Sequence, residues 1–330
     1  MKSNFESSTP ILKVTNLKTY FDTREGLVKA VDGVSFEIRP GEIVGLVGES
    51  GSGKSVLGFS VLGLVDHPGK VVGGSVSFKG TNLADATDAE LRMIRGGRLS
   101  MIFQDPMMTL NPVLRIDTQI IETVLAHQNV SRKDARNMAI DVLRQVGISS
   151  AETRLKSYPH EFSGGMRQRI AIAIALINKP DLIIADEPTT ALDVTIQAQV
   201  LAEIQKLCTM NGTALIWITH DLATIAGLAD RVIVQYAGRV VEQGLVDDVL
   251  DNPRHPYTKG LLDSVPGNQD RNERLRQIPG TAPSMLNLPD GCAFMERCGN
   301  AQEVCRTLPS VTSSNFMREY RCHFPIGVSN

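Results

Sequence analysis

The chain has 330 residues, 42% of them apolar, with a formal charge of −2 and a pI near 6.3. That length holds one large domain with an appendage, or two domains, and that apolar share can fill a core. The charge balance lacks the basic excess of a nucleic-acid binder, and the longest apolar run beside a motif, Ile170 to Ile177, falls well short of the about 20 residues that a membrane helix needs.

The first residues, Met1 to Pro10, are polar and lack the apolar centre of a signal peptide. The chain therefore reads as a soluble polypeptide that can still dock on a membrane protein. Ile11-Leu12-Lys13-Val14 and Val34-Ser35-Phe36-Glu37-Ile38 predict antiparallel strands, the second closed by Arg39-Pro40-Gly41. The run Ile43-Val44-Gly45-Leu46-Val47 predicts a buried strand, and Val56 to Leu64 predicts a helix.

Between them lies Gly48-Glu49-Ser50-Gly51-Ser52-Gly53-Lys54-Ser55, which fits G-x-x-x-x-G-K-[ST] at every fixed position. Glycines let the backbone curl so that successive N–H groups converge on phosphate oxygens. The helix start adds partial positive charge. Lys54 is expected to reach the β- and γ-phosphates, and the Ser55 hydroxyl to ligate Mg²⁺.

Leu99 to Phe103 predicts a short strand ending at Gln104. From about 107 to 177 the pattern is helical. Ser131 with Asp134 three residues on resembles a capping box, and Ala135, Met138, Val142 and Val146 follow at helical spacing. Ser163-Gly164-Gly165-Met166-Arg167-Gln168 precedes the apolar run from Ile170, so a second anion site is expected at a helix start. Two anion sites far apart in sequence suggest that they meet across a dimer.

Asp181 to Asp186 predicts another strand, followed by Glu187, and Ala214 to Thr219 the next, with a helix between them. An apolar strand ending in two carboxylates suits phosphate chemistry. Asp186 would hold Mg²⁺ and Glu187 would polarise the attacking water. Arg231 to Tyr236 and Val240 to Gln243 flank Ala237-Gly238 as a hairpin. Composition shifts at Asn252-Pro253, where the domain boundary is placed, giving 1–252 and 253–330. The segment 253–290 is rich in Pro, Asn, Arg and Gly.

Of five cysteines, Cys208 reads as a core residue in a helix. Cys292, Cys298, Cys305 and Cys322 crowd into the last 40 residues, with gaps of five, six and sixteen residues. In a reducing compartment such a group suggests a metal or an iron–sulfur cluster. The gaps are wide for structural zinc, while thiolate ligation of a cluster tolerates varied spacing. Zinc and free or disulfide-bonded thiols stay open as alternatives.

Taken together, these motifs resemble those of the ATP-binding subunits of ABC transporters, in family order over residues 20 to 221. Gly48 to Ser55 matches the phosphate loop, Gln104 the Q-loop, Phe162-Ser163-Gly164-Gly165-Met166 the signature, and Asp186-Glu187 the end of the Walker B strand. Ala191-Leu192-Asp193 matches the D-loop and His220 the switch histidine. The resemblance implies a P-loop α/β fold: a RecA-like core, an antiparallel β subdomain and an α-helical signature subdomain. It implies that Phe21, with Tyr20 as runner-up, stacks on adenine. Gly48, Ser50, Gly51, Ser52, Gly53, Lys54, Ser163, Gly164, Gly165 and Asp193 would contact ATP, and Ser55, Gln104 and Asp186 would serve Mg²⁺. Glu187, His220 and Gln104 would be catalytic.

Pro253-Arg254-His255-Pro256-Tyr257-Thr258, Gly291-Cys292-Ala293-Phe294 and Cys322-His323 resemble the C-terminal extension of the peptide and nickel importer ATPases. That narrower resemblance implies a [4Fe–4S] cluster on Cys292, Cys298, Cys305 and Cys322. The implied partners are a second, similar ATPase in a heterodimer, two membrane permease subunits and an extracytoplasmic binding protein, with no nucleic acid. The implied place is the cytoplasmic face of the inner membrane. Two departures stand out: Met166 replaces the usual signature glutamine, and Gly299 stands where a proline often follows the second cysteine. Di- and oligopeptides lead as cargo, with nickel or another small solute as the alternative. A soluble ABC-type ATPase without a membrane partner would be expected to carry two cassettes or coiled coils. A metabolic phosphoryl-transfer enzyme has no place for the signature or His220.

Overall fold

The computed structural model describes residues 8–190, 192–265, 277–315 and 318–328. In chain order its elements are β1 (Leu12–Thr23), β2 (Gly26–Ile38), β3 (Ile43–Val47), α1 (Lys54–Leu62), β4 (Gly69–Phe78), β5 (Thr81–Asn82), α2 (Asp88–Ile94), β6 (Leu99–Ile102), α3 (Ile116–His127), α4 (Arg132–Gln145) and α5 (Ala151–Arg154). They continue with α6 (Gly164–Leu176), β7 (Leu182–Asp186), α7 (Val194–Asn211), β8 (Ala214–Thr219), α8 (Leu222–Leu228), β9 (Arg231–Tyr236), β10 (Arg239–Leu245), α9 (Val246–Asp251), α10 (Pro256–Asp263), β11 (Thr312–Asn315) and β12 (Arg318–Tyr320). The chain divides into two compact units: Leu12–Ile38, Ile43–Ala84 and Ile218–Asn330 form one, and Arg39–Glu42 and Asp85–Trp217, with the first residues to Ile11, form the other.

The unit with the phosphate loop holds an antiparallel sheet in the order β2-β1-β4-β5. Along β1, Leu12 and Val14 are buried while Lys13 and Thr15 face water, the period-2 pattern of a strand with one solvated side. The register shifts beyond Val14, and Leu17 and Thr19 restore the buried series. β1 and β2 therefore run much further than the short predicted segments.

In the same unit β3 lies parallel to β9, with Val44 opposite Arg231 and Val47 opposite Val234. Every residue of β3 is buried, which explains its unbroken apolar run. β9 turns through Ala237-Gly238 into β10, and β10 pairs with β12, Glu242 opposite Tyr320 and Gln243 opposite Glu319. The tail thus adds strands beside β10, in a segment for which the sequence predicts none. Arg318 secures this junction: its Nη2 lies 3.0 Å from Oε1 of Glu242, which is fully buried. The Glu242 carboxylate also accepts the backbone N–H of Arg254 at 2.8 Å and of His255 at 2.9 Å. An ion pair so enclosed is costly to break from one side, because the remaining charge is stranded. Residues on both sides of Asn252-Pro253 belong to this one unit.

In the other unit β6 lies parallel to β7, and β8 neighbours β7. α3 buries Ile116, Ile120, Ile121 and Val124, and α4 buries Ala135, Ala139, Val142 and Leu143. Side chains of this kind contribute roughly 1.5–3 kcal/mol each for the larger aliphatic ones. Ser131 caps α4, its Oγ accepting the Asp134 N–H at 3.1 Å, and Val146 is buried just beyond the helix end. Cys208 is fully buried in α7, and burial pushes its thiol up to about 12. No helix among the described residues is long and apolar enough to cross a membrane.

Candidate functional site

The loop from Gly48 to Gly53 links β3 to α1, as the motif requires. Gly53 holds the N-cap position of α1 at φ 95°, and no side chain caps the helix. A Cβ at Gly53 would meet Ala30 O at 2.0 Å, and one at Gly48 would meet Gln235 O at 2.1 Å, so both positions exclude any other residue. A helix start that no side chain caps suits an anion. Lys54 is buried, and its Nζ donates to Gly48 O at 2.9 Å and Glu49 O at 3.0 Å. The loop is thereby wrapped around its own ammonium group. Ser55 is half-buried one residue further on, and Ser50 and Gly51 are exposed.

Gln235 supports this loop and was hidden in the sequence. It is fully buried in β9, and its Nε2 donates to Ser52 O at 3.0 Å. Gly238 N–H donates to the same carbonyl at 3.0 Å. Ser52 Oγ and Gln235 Oε1 are buried without a hydrogen-bond partner among the described residues. A hydroxyl left so inside a phosphate loop fits a ligand that completes it. The signal for Gln235 was a lone amide inside an otherwise buried strand.

The loop is also held by the tail. Glu49 N–H donates to Tyr257 Oη at 2.8 Å, and the Glu49 carboxylate accepts both terminal nitrogens of Arg297, at 2.7 and 2.9 Å. Tyr257 stood inside a tail motif that gave it no role, and Arg297 was marked by no motif.

Phe21 is half-buried on β1, opposite Val28 of β2 and Gly69 of β4. Its ring lies against Gly69, where a Cβ would come within 2.5 Å of Cε1. Tyr20 is committed elsewhere: its hydroxyl donates to Asp32 Oδ1 at 2.7 Å, and Arg239 holds the other oxygen of Asp32. His220 is exposed where β8 ends, ahead of Asp221, which caps α8.

The remaining predicted residues fall in the other unit. Asp186 is buried at the end of β7. Glu187 follows at φ 43°, a left-handed conformation that is strained for a glutamate. Thr190 Oγ1 donates to its Oε2 at 2.9 Å, so the carboxylate is oriented by a hydroxyl that sequence reasoning missed. Asp193 is exposed ahead of α7, and its carbonyl accepts Gln197 N–H at 2.9 Å; Ala191 lies outside the described residues. Gln104 is exposed at the bend after β6. Ser163 caps α6, its Oγ accepting the Met166 N–H at 3.4 Å, and Gly164 faces open space. Met166 therefore contributes its backbone to the cap whatever its side chain does.

Cys292, Cys298, Cys305 and Cys322 line one pocket with Phe294 and Phe324. Cys292 N–H donates to Cys305 O at 2.9 Å, and Gly291 runs so close to that segment that a Cβ would meet Cys305 O at 2.4 Å. Burial, with some repulsion from neighbouring sulfurs, raises the Cys292 and Cys298 thiols and pushes Cys322 up to about 11. Thiols held this way stay protonated unless a cation draws the proton off. Their chemistry suits a thiolate-bound metal, but among the described residues no group of three or more His, Cys, Asp or Glu side chains is arranged to hold one. The expected ligand set is therefore not assembled in this structure.

Comparison with known proteins adds to this geometry. A family model described as ABC transporter matches residues 31–190, and one described as oligopeptide/dipeptide transporter, C-terminal region, matches 241–305. The oligopeptide transport ATP-binding protein AppD of Bacillus subtilis is 50% identical over 314 residues, 94% of this chain and 96% of that protein. The oligopeptide transport ATP-binding protein OppD of Escherichia coli is 44% identical over 321 residues, 97% of this chain and 95% of that protein. Among solved structures, the dimeric ATP-binding cassette MJ0796 bound to ADP and Pi matches with a TM-score of 0.65 and 28% identity, covering 71% of this chain and 98% of the cassette.

Proposed function

This chain belongs to the ABC transporter family, in the branch with the oligopeptide/dipeptide C-terminal region, and it hydrolyses ATP; we propose that it does so as the energising subunit of a di- and oligopeptide importer. The observation that carries the reading is the uncapped, glycine-locked loop wrapped around Lys54, joined in one chain to the importer-type tail. The named relatives support peptides as cargo, with nickel as the alternative.

We assign the roles as follows. Lys54, with the N–H groups of Gly51, Gly53 and the start of α1, binds the β- and γ-phosphates, and Phe21 stacks on adenine. Ser50, Ser52 and Gly48 complete the loop. Ser55, Gln104 and Asp186 serve Mg²⁺, which screens the phosphate charge when bound. Glu187 polarises the attacking water, and His220 contacts the γ-phosphate. Ser163, Gly164, Gly165 and Asp193 face a nucleotide held by a second, similar ATPase. Binding of ATP favours a closed pair and hydrolysis releases it. Gln104 passes that change to two permease subunits on the cytoplasmic face of the membrane, and a binding protein delivers the cargo.

Residues 253–330 form the extension that marks the branch. We assign Cys292, Cys298, Cys305 and Cys322 to a [4Fe–4S] cluster, with Zn²⁺ as the alternative. The family resemblance supports this assignment; the four thiols line one pocket but are not drawn together there as a ligand set.

The experiment purifies the tagged chain from membranes in detergent with its partners and binding protein, then measures ATP hydrolysis with peptides and, separately, with nickel. Stimulation by peptides is expected. Stimulation by nickel alone overturns the cargo, and recovery without membrane subunits overturns the transporter role.

A further inference from the structure

Glu49 is the one carboxylate within the phosphate loop Gly48–Ser55. A negative charge there opposes a polyphosphate unless something matches it. The structure matches it with Arg297, whose Nη1 and Nη2 lie 2.7 and 2.9 Å from the two carboxylate oxygens. This planar, two-point grip fixes orientation as well as charge. Arg297 is itself held in place. Its Nε donates to Pro279 O at 2.8 Å, its Nη1 donates to Tyr236 Oη at 3.2 Å, and its guanidinium lies 5.8 Å from the ring centres of Tyr236 and Phe294. Its side chain is only 6% exposed and that of Glu49 27%, so the pair is partly shielded from solvent.

The grip acts on a residue that the loop cannot move independently. The Glu49 carbonyl accepts the Lys54 ammonium at 3.0 Å, and the Glu49 N–H donates to Tyr257 Oη at 2.8 Å. Turning the Glu49 side chain therefore disturbs the backbone that positions Lys54. Arg297 stands 248 residues away in sequence, beside Cys298 in the tail.

We propose that Arg297 is a positioning residue for ATP: acting through Glu49, it cancels the loop's own negative charge and holds the loop in its phosphate-binding shape. The inference rests on the reading of Gly48–Ser55 as the nucleotide site. It gives the tail a direct part in nucleotide affinity, beyond marking the branch.

The test uses the whole transporter complex and reads the KM for ATP, kcat and the thermal midpoint together. Arg297→Met is expected to raise the KM about tenfold, the scale of a lost charge-assisted pair, with kcat within about twofold. Adding Glu49→Gln in the same chain is expected to bring the KM back to within about threefold of wild type, because the uncompensated charge is gone. That return is a non-additive signature which a merely structural arginine does not give. Arg297→Lys, which keeps the charge and loses the fork, is expected to raise the KM about threefold. A lowered thermal midpoint with a wild-type KM in Arg297→Met overturns the proposal. If that variant does not assemble, a wild-type KM in Arg297→Lys overturns it equally. Additive losses in the double variant also count against it. Lys54→Ala serves as the separate control: a wild-type KM there, or no ATP hydrolysis by the wild-type complex, overturns the nucleotide reading itself.

Discussion

Thr190 Oγ1 donates to Glu187 Oε2 across 2.9 Å, while the Glu187 backbone sits at φ 43°. A strained residue whose carboxylate is tethered by a neighbour is the arrangement of a group aimed at a task. Glu187→Gln is expected to keep ATP binding and to lower turnover at least about 100-fold, the lower range for losing a general base. Hydrolysis at the wild-type rate would remove Glu187 from the catalytic role. Thr190→Val is expected to lower kcat by a smaller factor with KM unchanged, checked in the same assay.

Gly53 has no room for a side chain. Gly53→Ala would place a methyl group 2.0 Å from Ala30 O at a backbone φ of 95°. Strain and overpacking of this kind each cost about 1–3 kcal/mol. The thermal midpoint of the complex is expected to fall by several degrees, with ATP affinity reduced as well. A variant with an unchanged midpoint and affinity would show that the loop relaxes freely.

Lys54 is buried within its loop, so removing its ammonium group leaves Gly48 O and Glu49 O without a charged donor. Lys54→Ala is expected to weaken ATP binding at least about tenfold. A nucleotide titration of the complex measures this, and unchanged affinity would contradict the phosphate role.

Much of this was legible in the sequence because phosphate binding demands residues that nothing else replaces. Gly53 and Lys54 announce themselves by type and spacing, and the buried runs of β3, β7 and β8 by continuous apolar composition. Gln235 was missed because one amide in β9 does not disturb the strand pattern. Arg297 was missed because its meaning lies in Glu49, and no local rule spans 248 residues. β1 and β2 were read short because the register shifts near Asn16 break the alternation of buried and exposed residues. β12 was missed because a strand of three residues carries too little pattern, and the Arg318–Glu242 contact beside it joins residues 76 apart in sequence.

The four tail cysteines make a separate prediction. Cys298→Ser in the purified complex is expected to abolish bound iron and brown colour, checked by metal analysis and absorbance. A colourless wild type with stoichiometric zinc would replace the cluster with zinc, and a metal-free wild type would leave the thiols unliganded.

The most direct test of peptide import driven by this subunit is transport itself. The complex is reconstituted in proteoliposomes with its binding protein and a labelled oligopeptide, and ATP is supplied only on the side of the ATPase. Peptide accumulation that requires ATP and is lost in Glu187→Gln is expected. Accumulation that persists at the wild-type rate in Glu187→Gln, or none with the wild-type complex, would contradict import driven by this subunit.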